Sequence, residues 1–166
     1  IDLPNALEII ILLFIFAAEI LGEIRAFYTT FAYWDTLLHT INDLERISDH
    51  SVNLLKAGQE IQEKSIHFSH EAIDDLSVLE AAVQDIVNRT VDAFQKNDCY
   101  AAGKIEPLEQ VVDGLVREVK TRHIARLQAG ACTIEYGFVL DDLLTNYERI
   151  ADHCSNIAVA MIEVSE

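Results

Sequence analysis

A nine-residue segment of this chain occurs twice, and that repetition constrains the fold more than any other feature. Glu45-Arg46-Ile47-Ser48-Asp49-His50-Ser51-Val52-Asn53 returns 103 residues later as Glu148-Arg149-Ile150-Ala151-Asp152-His153-Cys154-Ser155-Asn156, with six of nine positions identical. Side chains four residues apart on a helix drift by only about 40° around its axis. Glu45, Asp49 and Asn53 therefore form one oxygen-bearing stripe, and Glu148, Asp152 and Asn156 form another. His50 and His153 follow the aspartates directly and point about 100° away, which makes them helix contacts or supports behind the carboxylates. Two copies of one stripe predict an internal duplication, each half presenting carboxylates suited to hard cations.

The rest of the chain carries helical periodicity. It has only two prolines and six glycines, and sustained β-type alternation is missing. From Ile73, apolar residues at Leu76, Leu79, Val83, Ile86, Val87, Val91 and Phe94 keep the 3/4 spacing of an amphipathic helix, which Asn97-Asp98 should end. A second helix runs from Ala101 or Pro107 to Leu127, with Pro107 in its first turn, where a missing N–H costs little. Thr133 then caps a third, Ile134 to about Glu163.

The first half should repeat this unit. Its third helix runs from about Tyr33 to Lys64, Ala18–Tyr28 takes the place of the second, and Asn5–Phe16 that of the first. The fold class is all-α, with a first repeat over 1–66 and a second over 67–166. The halves differ in one spacing: Glu109 precedes Glu148 by 39 residues, but Glu19 precedes Glu45 by 26. A connection between helices is therefore short or missing near Ala32–Tyr33.

Charge narrows the function. Twelve Lys and Arg stand against 28 Asp and Glu, a formal charge of −16. Such a field repels nucleic acid and anionic lipid, and it attracts cations or a basic protein surface. Three cysteines (Cys99, Cys132, Cys154) without a CxxC pair argue against a disulfide framework or a structural zinc site and for a reducing compartment. Cys154, inside the repeated segment, reads as a buried thiol. The most apolar run, Ile9–Ala18, is about half of the ~20 residues a spanning helix needs, and no basic region precedes it, so neither a membrane span nor a signal peptide is expected.

Two more acidic pairs lie on neighbouring helices: Glu109 with Asp113, and Glu19 with Glu23 in the first half. Packed helices sit ~8–10 Å apart, close enough for four carboxylates to converge on a cation or small cluster. Oxygen ligands suit Mg²⁺, Mn²⁺ or iron better than soft metals. A single acidic pair is commonplace on a solvated helix face; the duplication gives these pairs weight. A ferritin-like di-iron enzyme is the alternative carboxylate bundle, but it needs Glu-x-x-His on two helices, and no glutamate in this chain has histidine three residues on. No nucleophile–base constellation or glycine-rich phosphate loop is present, so an enzyme is not expected.

The segment Leu37–His50 resembles the signature helix of PhoU-type phosphate-regulatory domains. Thr121–Cys132 and Leu143–Ile157 are similar to the cytoplasmic PhoU-like domain of bacterial sodium–phosphate cotransporter proteins. The resemblance covers about residues 33–163. It implies six helices in two tandem three-helix bundles, with multinuclear iron or zinc clusters on Glu/Asp-x-x-x-Asp pairs. It also implies a cytoplasmic domain, peripheral to or tethered at the inner face of the membrane, that restrains phosphate uptake or signalling. The partners so implied are a phosphate transporter's membrane domain, in the same chain or separate, a sensor kinase, or a second copy in a homodimer. The metal role carries over to Glu45, Asp49, Glu109, Asp113, Glu148 and Asp152. Glu19 and Glu23 complete the set, although Glu23 stands where the family pattern has aspartate. Manganese or magnesium is the other metal choice. A bundle that only buffers metal is the remaining alternative.

Overall fold

The computed structural model describes residues 12–13, 15–17, 20 and 31–165, and every regular element among them is helical. Four long helices and one short turn follow in order: α1 (Phe31–Glu63), α2 (His70–Lys96), α3 (Cys99–Ala102), α4 (Ile105–Gln128) and α5 (Ile134–Ser165). Residues 12–13, 15–17 and 20 are also helical. The all-α expectation holds.

Local chemistry sets the helix ends. Ser69 caps α2, its hydroxyl accepting from the Ala72 N–H, and Asn97 closes it in the left-handed conformation that asparagine tolerates well. The stop expected at Asn97-Asp98 is therefore real. Asp98 caps the short α3 by accepting from the Ala101 N–H. The second helix of this half, expected to start at Ala101 or Pro107, is divided at Gly103-Lys104 into α3 and α4. Pro107 falls in the first turn of α4. Thr133 caps α5 through its hydroxyl, which accepts from the Tyr136 N–H at 3.5 Å.

Helix α5 lies at the centre, packed against α1, α2 and α4. Ile150, Leu143, Leu144 and Ile157 on it are fully buried, together with Leu79, Val83 and Ile86 of α2 and Val112 and Val116 of α4. Leu13, Phe16 and Ile20 belong to the same apolar core as these helices, and Phe16 meets Phe94 edge to face at 5.0 Å between ring centroids. Helices α2 and α4 are also clamped by Asp75, which accepts from Arg122 at 2.6 Å and from Arg126 at 3.1 Å. At the far end of α4, Gly137 of α5 admits the His123 ring; a Cβ there would stand 2.7 Å from Nε2. The glycine thus leaves room for the His123 ring in its present position, and any larger residue would make that ring shift.

Candidate metal centre

The packing of α4 against α5 brings three carboxylates together. Glu109 and Asp113 lie one turn apart on α4, and Asp152 reaches them from α5; ligand atoms from all three lie within 4.8 Å of one another. All three are half-buried. Beneath them Val112, Val116 and Ile150 are apolar and buried, so the acids sit at the rim of a dry core.

The electrostatics follow from this crowding. Burial first, then the charges of Asp113, Asp152, Glu106 and Glu148, push the Glu109 carboxyl above its ordinary range. Glu148, one turn before Asp152, is thus close enough to act on the same centre. Two arginines partly offset the charge. Arg149 donates to Asp152 Oδ2 at 3.0 Å, and Arg117 stands 4.0 Å from Asp113 Oδ2; both guanidinium groups are largely exposed. Neither arginine meets the inner oxygen of Asp113. That Oδ1 is buried and has no hydrogen-bond partner. A buried carboxylate oxygen without a protein partner is costly, and a cation among these three acids would satisfy it. The donor set, all oxygen, fits a hard or borderline divalent ion.

The other expected residues are placed less compactly. Glu45 and Asp49 lie one turn apart on α1 and are exposed; among the described residues no third ligand joins them. Glu19 and Glu23 lie outside the described residues. Asn53 and Asn156 do not share the carboxylate faces, contrary to the simple stripe. By the eighth residue the helical drift has reached about 80°, and both asparagines face the partner helix across the α1–α5 seam. His50 and His153 face the same seam, as contacts between helices. The stripe overlooked Asp43 and Asn146, which accept hydrogen bonds from these histidines. They lie two residues before each copy of the repeated segment and 103 residues apart. The signal that could have found them is a polar residue on the otherwise apolar inner face of each helix.

Comparison with known proteins agrees with this architecture. The model of the PhoU domain matches residues 76–161, just over half of the chain. The phosphate-specific transport system accessory protein PhoU homolog 1 of Thermotoga maritima is 24% identical over 148 residues, which is 89% of this chain and 63% of that protein. The chain therefore spans somewhat under two thirds of the curated relative's length. The crystal structure of PhoU from Pseudomonas aeruginosa superposes with a TM-score of 0.74 at 20% identity, over 90% of this chain and 72% of that one. At that identity the superposition speaks for the fold. With the domain model matched across most of α2, all of α4 and most of α5, this chain belongs to the PhoU domain family.

Proposed function

We propose that this chain is a metal-binding regulatory domain that restrains phosphate uptake or phosphate signalling by contacting a transporter or a sensor kinase. The observation that carries the metal part is the α4–α5 centre: Glu109, Asp113 and Asp152 gathered within 4.8 Å, around an Asp113 oxygen that no protein group satisfies. Glu148 would join from α5, with iron or zinc as the first choice of metal and manganese or magnesium as the second. Bound cations relieve the repulsion among the acids and lock α4 to α5.

Membership of the PhoU family supports the regulatory part, and the Thermotoga relative is itself named as an accessory protein of a phosphate-specific transport system. No helix among the described residues is long and apolar enough to cross a membrane. The membrane component is accordingly a partner surface or a further segment of the parent polypeptide; a sodium–phosphate cotransporter is the second case. The charge of −16 favours a basic partner surface and association that weakens with salt.

Elemental analysis of the purified protein, with melting curves in added Fe, Zn, Mn or Mg and in chelator, tests the metal part. Metal should raise the melting temperature and chelator lower it; a curve indifferent to both refutes it. Deleting the domain from its parent should deregulate phosphate accumulation while leaving transport intact. Unchanged accumulation in scarce and abundant phosphate would refute the regulatory part and leave metal buffering as the better account.

A further inference from the structure

The polar seam between α1 and α5 has a form that neither the metal centre nor the apolar core requires. His153 Nδ1 lies 2.8 Å from Asp43 Oδ1, and His50 Nδ1 lies 2.8 Å from Asn146 Oδ1. The Asn156 amide reaches the same Asp43 oxygen at 3.4 Å, and the Asn53 amide reaches the same Asn146 oxygen at 3.4 Å. Every residue in one set is 103 positions from its counterpart in the other, so the contacts are exchanged about a twofold axis within the chain. The two imidazoles stack there, with centroids 5.7 Å apart and planes 24° apart. The Asn146 amide is committed elsewhere, donating to the Asp142 carbonyl at 2.7 Å. Its Oδ1 is thus left to accept, and His50 Nδ1 must donate. The Asp43 carboxylate fixes the same tautomer on His153.

We infer that Asp43 and His153, with their counterparts Asn146 and His50, are positioning residues that set the rotation of α5 and α1 and so aim the carboxylates of each helix. The inference rests on the metal reading above. Asp152 and His153 are neighbours on a rigid rod, one facing α4 and the other α1. Turning α5 by about 20° would sweep a side chain ~5 Å from its axis through almost 2 Å. Metal–oxygen bonds tolerate roughly a tenth of that. Apolar contacts such as those of Ile150 and Ile157 resist separation but are not directional. Hydrogen bonds of 2.8 Å lose most of their strength when misaligned, so the seam adds a directional constraint to the packing of α5. Asp43 is only 9% exposed, which leaves its acceptor little freedom to follow a rotated partner. The Asp43–His153 bond has a carboxylate acceptor and is the stronger of the two. It lies on the helix that carries Asp152.

The test compares H153N with H153Q in the full chain, using Mn²⁺ as probe and calorimetry to read its dissociation constant. Asparagine places an amide donor where Nδ1 sits, whereas glutamine places it where Nε2 sits and cannot reach Asp43. H153N should bind Mn²⁺ within about twofold of the unsubstituted chain. H153Q should bind roughly tenfold or more weakly, the loss usual when support behind a metal ligand is removed. Its metal-free form should melt below that of H153N because Asp43 loses a partner; the affinities are therefore compared at a temperature where both are folded. D43N, which copies the Asn146 arrangement, should fall between them. Equal affinity of H153Q and the unsubstituted chain overturns the positioning role, as does H153N binding as poorly as H153Q. Glu109→Gln combined with Asp152→Ala is the control: if that double substitution binds Mn²⁺ as the unsubstituted chain does, the metal reading itself fails, and the positioning role with it.

Discussion

Glu109→Gln should act in opposite directions with and without metal. In the metal-free protein the ligand atoms of Glu109, Asp113 and Asp152 lie within 4.8 Å of one another. Two unit charges at that separation repel by about 0.9 kcal/mol in a water-like dielectric and by about 3.5 kcal/mol at an effective constant near 20. The acids are only half-buried and solvent and salt screen them, so the lower figure applies. With two such neighbours, neutralising Glu109 should stabilise the metal-free protein by roughly 1–2 kcal/mol at neutral pH, or about 2–8 °C for a chain of this size.

The pH dependence has a definite sign. Burial and neighbouring charge raise the Glu109 carboxyl in the folded state, so the native protein holds this proton more tightly than the unfolded chain. Its contribution to stability falls as pH rises from the ordinary glutamate range through the raised folded value. The advantage of glutamine therefore grows as pH rises through the raised folded value and vanishes in acid, where Glu109 is itself neutral. With Mn²⁺ at a hundred times its dissociation constant, the unsubstituted protein should gain about 2.7 kcal/mol, or about 5–11 °C, and Glu109→Gln much less. Scanning calorimetry across pH, with and without Mn²⁺, reads all of this. A lower metal-free melting temperature for Glu109→Gln at neutral pH would refute the repulsion argument. Retention of the full metal gain would remove Glu109 from the ligands.

Three further outcomes are expected from the same structure. Asp152→Ala should remove metal from the α4–α5 centre with helix content by circular dichroism nearly unchanged, because alanine favours helix. Glu45→Ala should cost less metal than Asp152→Ala and more than Glu19→Ala, and a metal count in the reverse order would move the better-formed site to the first half. The Cys154 thiol is fully buried, and burial pushes it up to about 12. A thiol reagent at mildly alkaline pH should therefore label the partly exposed Cys99 and Cys132 and spare Cys154 until the protein unfolds; rapid labelling of all three would contradict the packing.

Much of the architecture was legible because helix ends are local chemistry. Asn97, Asp98 and Thr133 mark their boundaries by side-chain type alone, and the structure uses each in that role. The Gly103-Lys104 break was only half legible: Pro107 pointed to a first turn, but a single glycine is a weak stop and left the start open between Ala101 and Pro107. The carboxylate pairs were readable as pairs, because residues four apart on a helix share a face whatever surrounds them. Which pairs would meet was not, because that depends on how α4 seats against α5. Asn53 and Asn156 were misread by extending a 40° drift one step too far. Asp43 and Asn146 were passed over because the repeated segment was taken to begin at its first identical residue, whereas geometry, not identity, defines the seam.

The exchanged contacts across α1 and α5 also say something about tolerance to change. A surface that meets its own duplicate uses each position twice, as donor side in one half and acceptor side in the other, in the manner of the face-to-face contact of a symmetric dimer. In two separate but identical copies, any substitution would strike both ends of the axis at once. With both halves on one chain, the ends can diverge singly. Asp43 and Asn146 differ in this way: one end holds a carboxylate and the other its neutral isostere, and both accept at 2.8 Å. The molecule thus has a polarity that its geometry alone does not have, and ligands at its two ends would meet unequal partners.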